Sequence, residues 1–193
     1  MYENMTLNEL KEELIINSKK AYPLFISGFI YWGIMVILGQ FFSDKQTALF
    51  YILGMGSIFP VAMLIGKMLK VSFATSKSPL ATLAGIIGGI QIFFLPVWIV
   101  TYIEHYEYVP MMVGILAGSH FLPYVWIYKS KAYLFLTFGT AKAAFVFGYI
   151  FIENSFLFVP LSQAIMHLIT AFWLIRESKV FVSKDSHSLI NEY

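Results

Sequence analysis

The sequence predicts an all-α fold: a bundle of six transmembrane helices with the N- and C-termini cytoplasmic and a short N-terminal amphipathic helix. Three observations carry that expectation. The 193 residues are 59% hydrophobic and only 12% charged, about half the charged fraction of an ordinary soluble domain. The apolar residues gather into six runs, each near the ~20 residues that cross a hydrocarbon core. The basic residues between those runs fall on one side.

Residues 5–20 read as a helix. Thr6 and Glu9 have capping-box spacing, and Leu7, Leu10 and Leu14 share one face. Residues 1–22 form a cytoplasmic, interfacial arm. They are polar and acidic and lack the basic start and short apolar core of a cleaved signal, so the first apolar run is expected to remain as a span.

The spans cover residues 23–42, 46–69, 80–103, 109–128, 132–152 and 156–175, which together make the bundle of residues 23–175. Pro23 sits where a helix start tolerates it. The gaps are short, so consecutive helices are expected to be antiparallel neighbours. Residues 176–193 are polar and serine-rich and read as a flexible cytoplasmic tail.

Eleven of the 13 cations occupy one set of gaps: Lys11, Lys19 and Lys20; Lys67, Lys70 and Lys77; Lys129 and Lys131; and Arg176, Lys179 and Lys184. The opposite set holds Lys45 and the acids Asp44, Glu104, Glu107 and Glu153. Positive charge marks the cytoplasmic side. Aromatic residues flank both ends, with Tyr102, Tyr106 and Tyr108 outside and Tyr22, Trp126, Tyr128, Tyr133 and Trp173 inside.

Composition also excludes functions. A net charge of +2 does not suit nucleic acid, and with no cysteine there is no disulfide, thiolate metal site or cysteine nucleophile. No nucleotide-binding motif is present, which argues against an ATP-driven pump. Glu104, His105 and Glu107 match no metal-ligand spacing, so neither metal nor cofactor is expected.

Small residues suggest helix packing. Gly85 and Gly89, extended backwards by Ala81, have GxxxG spacing, as do Gly114 and Gly118. Such faces let helices approach closely in lipid. The third and fourth spans are therefore expected to meet through these four glycines. An inverted repeat would instead pair the first span with the fourth, and that resemblance is not visible.

The polar residues inside the spans are the candidate site. Helix rise puts Gln91 about 18 Å, His120 about 16 Å and Lys142 about 15 Å into their spans. Gln163 and His167 share a face of the sixth span, with Thr170 completing the stripe. A lysine at a helix centre is costly to insert, about 2.5–3.5 kcal/mol on insertion scales. Lys142 is therefore expected to face the bundle interior beside Gln91, His120, Gln163 or His167. This layer could bind an anionic or carbonyl-bearing solute, or it could be a structural polar knot.

Ser119 in the fourth span and His167 in the sixth resemble the dyad placement of rhomboid intramembrane serine proteases. The match stops there. Ser119 lies in Ala117-Gly118-Ser119-His120, not in the Gly-x-Ser-Gly of that family, and the family's large first outer loop is absent.

Three runs carry a broader resemblance: Pro79-Leu80-Ala81-Thr82-Leu83-Ala84-Gly85-Ile86-Ile87-Gly88-Gly89, His120-Phe121-Leu122-Pro123-Tyr124-Val125-Trp126 and Ser130-Lys131-Ala132-Tyr133-Leu134-Phe135-Leu136-Thr137. They resemble a family of small bacterial multi-pass membrane proteins classed only as a domain of unknown function, over residues 7–173. The resemblance implies the bacterial cytoplasmic membrane and transfers no activity.

Three functional readings follow. The leading one is small-solute binding or permeation through the layer around Lys142. The alternative is a structural or accessory membrane subunit that packs through its glycine faces, against a second copy or another membrane protein. The third is a serine hydrolase using Ser119 and His167. The lipid bilayer is a partner in all three, and an enzyme is the less favoured class.

Overall fold

A computed structural model describes residues 2–72 and 78–190. Among these the chain is all-helical, without a strand. Lys77 lies outside the described residues, as does the side chain of Lys184.

Helix α1 (Leu7–Ser18) begins at the expected capping box, with Glu9 N–H donating to the Thr6 hydroxyl and Thr6 N–H donating to the Glu9 carboxylate. Its apolar face turns towards the bundle, where Leu14 and Ile15 are buried beside Tyr124 and Ile127. Lys11 lies 3.3 Å above the Trp126 ring. The helix stops at Lys19, Lys20 and Ala21, all in the left-handed region. That conformation costs about 1–2 kcal/mol per non-glycine residue. Distant groups hold the turn: the Tyr133 hydroxyl donates to the Lys20 carbonyl, Ser178 donates to that of Lys19, and Lys20 pairs with Glu177 at 2.6 Å.

Helix α2 (Tyr22–Phe41) carries Pro23 in its first turn. A second capping box, Ser43 with Gln46, starts α3 (Asp44–Met55). The expected second span is not one straight helix. It breaks at Gly56 and Ser57 and resumes as α4 (Ile58–Met68) at an angle of 52°. Pro60 is the cause: it has no N–H for the Gly56 carbonyl. Ser57 caps Gly54, and Ser27 of α2 donates to the Ile58 carbonyl at 2.7 Å.

The expected third span is likewise composite. After α5 (Pro79–Gly89) the helix tightens over Ile90–Phe94 and widens again as α6 (Leu95–His105), with Pro96 in its first turn. The chain leaves helical geometry at His105 (φ −149°, ψ 64°). It continues as α7 (Val109–Ser119), turns before Pro123, and adds the short α8 (Tyr124–Ile127). Tyr124 donates to the Ala84 carbonyl at 2.7 Å, and Gln91 meets His120. Partners that approach one another in number across residue 105 are the signature of an antiparallel hairpin.

Ser130 caps α9 (Lys131–Phe145), which widens over Val146–Ile150. Helix α10 runs Ser155–Ile190. Its backbone stays helical well past residue 175, so the residues read from sequence as a tail continue the helix as far as Ile190.

Two antiparallel pairs form the centre. In α2 against α10, Gly28 faces His167 and Gly39 lies against the Phe156 carbonyl, which Pro160 leaves without its helical donor. In α7 against α9, Gly114 faces Ala144 and Gly118 faces Thr140. One buried cluster, around Phe25, Tyr133 and Leu136, fills the end next to α1. A second, around Trp32, Tyr51, Trp98 and Val113, fills the other. The outside is apolar: Leu53, Ile86, Phe93, Ile103, Phe138 and Phe172 are each more than 60% exposed.

Four helical stretches among the described residues are long and apolar enough to cross a membrane: Leu7–Phe41, Pro79–Ile127, Lys131–Ile150 and Ile152–Phe181. The bent pair α3–α4 passes the same test if taken as one span.

Candidate functional site

The interior polar residues form two separate groups. In the first, α10 brings Gln163 against α7 and α9, where the absence of a side chain at Gly114 leaves room for its amide. Gln163 Nε2 donates to the Thr140 carbonyl at 2.9 Å. One turn on, His167 Nδ1 donates to the Gln163 carbonyl at 2.8 Å. Phe25, Trp32 and Phe121 surround the imidazole, and Gly28 supplies the space it occupies. Thr170 completes the buried stripe.

The second group joins the hairpin. His120 Nδ1 donates to the Ala117 carbonyl, leaving Nε2 to accept from Gln91 Nε2 at 2.8 Å. His120 is buried and Gln91 partly so. Phe121 lies between the two groups, its ring tilted against that of His120 at 3.9 Å and edge-on to that of His167 at 6.0 Å. Each of the four side chains thus has a hydrogen-bond partner within the protein.

Lys142 belongs to neither group. It is exposed, and it makes no hydrogen bond or ion pair among the described residues. It shares the outer stripe of α9 with Lys131, Leu134, Phe138, Phe145 and Tyr149, which recur every three or four residues. The expectation that it faces the interior is wrong. The inward face of α9 is taken by Leu136, Thr140 and Ala144, and a long cationic side chain has no room where helices pack at glycine distance.

The glycine expectation also needs correction. Gly114 and Gly118 do mark a close approach, but to α9. A methyl group on Gly85 or Gly89 would meet nothing within 4 Å. The third and fourth spans touch instead through Tyr124 and His120, with the Tyr124 hydroxyl 3.3 Å from where a Gly88 side chain would start. No Ser119–His167 dyad forms: Ser119 is exposed and donates to the Leu116 carbonyl of its own helix.

Sequence reasoning missed Gly28 and Gly39, which are eleven residues apart and match no GxxxG pattern. It also missed the cationic cluster at the α1 end, because Lys20, Lys129 and Arg176 come from three distant parts of the chain.

An apolar exterior and close helix pairs define a helical protein compatible with a membrane setting. The chain belongs to a family of unknown function, DUF7010, whose model matches residues 7–177. No curated protein and no solved structure matches it.

Proposed function

We propose that this is a six-span protein of the bacterial cytoplasmic membrane, with both termini cytoplasmic, serving as an accessory subunit of another membrane protein. The 49 residues of Pro79–Ile127 are more than twice the ~20 that one crossing needs, and they fold back at His105. Counting that hairpin as two spans and α3–α4 as one gives six. The one-sided cations set the orientation.

Lys142 carries the functional reading. It lies near the middle of a 20-residue span, on the face left to lipid, amid apolar neighbours. A lysine there is expensive unless something pairs with it. Every Asp and Glu of this chain lies near a helix end or in the terminal segments, so a second copy offers no carboxylate at that depth. The occupant that satisfies Lys142 is a transmembrane helix of a different protein bearing a carboxylate near mid-membrane. Solute permeation around Lys142 is less well supported, since Lys142 lies apart from Gln91, His120, Gln163 and His167, each of which already has a hydrogen-bond partner within the protein.

Reporter fusions at residues 45, 106 and 193 should read outside, outside and inside; an external C-terminus overturns the topology. A photo-crosslinker at Phe138 or Phe145 should trap a membrane protein with a mid-span carboxylate. Lys142→Asp should abolish the crosslink, and exchanging the partner's carboxylate for lysine should restore it. Crosslinks only to a second copy, or crosslinks that persist without rescue in Lys142→Asp, overturn the accessory-subunit reading.

A further inference from the structure

At the α1 end of the bundle lies an open cavity of about 610 Å³. Its walls are the left-handed turn before α2, the turn before α9 and one face of α10. Three cations line it, Lys20, Lys129 and Arg176, with a single carboxylate, Glu177. Phe172 and Trp173 form its apolar side.

The cations are not equivalent. Lys20 is buried and paired with Glu177 at 2.6 Å, so this pair forms a rigid floor. Lys129 is held in a left-handed turn and approaches Glu12 only at 3.6 Å, with both side chains substantially exposed. Arg176 is exposed and makes no hydrogen bond or ion pair among the described residues. Glu177 is already engaged with Lys20. The cavity therefore offers a guanidinium fork and an ammonium to an anion, with little internal charge to compete.

We propose that this cavity binds a phosphate-bearing anion, with the phosphate between Arg176 and Lys129. Arg presents a planar fork that matches phosphate oxygens, and Lys adds a point charge. The aromatic wall indicates the form in which the phosphate arrives. Phe172 is 65% exposed and Trp173 39%, one turn before Arg176 and on the apolar side of it. Arg176 is 21 residues from the start of α10 at Ser155, about 32 Å at helical rise and so one hydrocarbon thickness. An anionic phospholipid fits this arrangement: headgroup on Arg176 and Lys129, acyl chain along Phe172 and Trp173. Basic pockets at the cytoplasmic ends of helices recognise such headgroups. Lipid as the source rests on the membrane reading above, whereas phosphate recognition does not, and neither requires the partner of Lys142.

The test uses the purified full chain in neutral detergent. Native mass spectrometry and thermal melting are run with phosphatidylglycerol, phosphatidylcholine and glycerol phosphate. Phosphatidylglycerol should bind and raise the melting temperature; phosphatidylcholine should do neither. The double variant Arg176→Gln, Lys129→Gln should weaken phosphatidylglycerol binding about tenfold or more. Arg176→Lys should fall between, and it serves as the measure if the double variant melts early without ligand. Binding of phosphatidylglycerol alone assigns a lipid; equal binding of glycerol phosphate assigns a soluble phosphate. Equal binding of phosphatidylcholine, or unchanged binding by the variants, overturns the site.

Discussion

Replacing Gly118 by alanine adds one methyl group at the tightest point between α7 and α9. That methyl would overlap the Thr140 hydroxyl, lie 3.1 Å from Thr140 Cβ and 3.5 Å from the Ala141 nitrogen. Thr140 cannot swing away cheaply. It is fully buried, and its hydroxyl donates to the Leu136 carbonyl at 2.6 Å. The helices must separate instead, and overpacking of this kind costs about 1–3 kcal/mol. Alanine's better helix propensity returns up to about 1 kcal/mol, so the net loss is roughly 1–2 kcal/mol. Gly85→Ala is the control. Its methyl meets nothing within 4 Å, so only the propensity gain remains, up to about 1 kcal/mol. The propensity gain is common to both variants, so they should differ by the overpacking cost alone, roughly 1–3 kcal/mol. At about 2–4 °C per kcal/mol for a chain of this length, that is some 2–12 °C in melting temperature. Fluorescence-detected size exclusion after heating in neutral detergent reads it directly. Equal losses from both substitutions would mean that the Gly85 face is also covered, and a neutral Gly118→Ala would mean that α7 and α9 do not approach at Thr140.

Other outcomes follow from the α1 end of the bundle and from the outer face of α9. Tyr133→Phe removes the donor to the Lys20 carbonyl and should destabilise by about 1–2 kcal/mol, since a buried acceptor loses its partner; unchanged melting would show that water replaces the hydroxyl. The Glu9 carboxyl is held below its ordinary value, first by the Thr6 N–H and then by the Thr6 hydroxyl. The ionised cap therefore supports α1 at neutral pH, and that support is lost as pH falls through the lowered value. Protection of the Glu9 and Leu10 amides, which bond back to Thr6, measured relative to their intrinsic exchange rate at each pH, should fall on acidification, and Thr6→Ala should abolish that fall; protection unaffected by acid would refute the linkage. Lys142→Leu in isolated protein should leave melting unchanged or raise it, because an exposed lysine among apolar side chains contributes no contact; a marked loss would show that Lys142 has an internal partner.

Periodicity and composition made the helical architecture legible, and residue chemistry made some of its punctuation legible too: the Thr6–Glu9 cap and Pro23 stand where local rules put them. Local rules failed wherever the outcome depended on which helix became the neighbour. Gly114 and Gly118 announce a close approach, but nothing in a GxxxG pattern names the partner, and α9 rather than α5 fills it. Gly28 and Gly39 were invisible because their spacing follows the crossing of α2 over α10, not a fixed repeat. Gln163 and His167 lie together as their i, i+4 spacing requires. Lys142 was misjudged by assuming that a costly residue must be hidden. Its helix has two faces, and the inner one was already claimed by small residues. Pro60 and Pro96 were present to be read, yet runs of apolar residues look continuous in hydropathy even where the backbone hydrogen bonding is interrupted.

The turn over Lys19, Lys20 and Ala21 sets an order on synthesis. Its fasteners are Tyr133, Glu177 and Ser178, the last of them 159 residues further along the chain. At about 5–20 residues per second, the ribosome needs roughly 8–30 s to travel that distance. For that interval the amino-terminal segment has emerged without the groups that hold it. Its left-handed turn can be locked only after the final helix is made, so docking of α1 is a closing act of biogenesis rather than an opening one. The N-terminal helix acts as a latch that the end of the chain fastens.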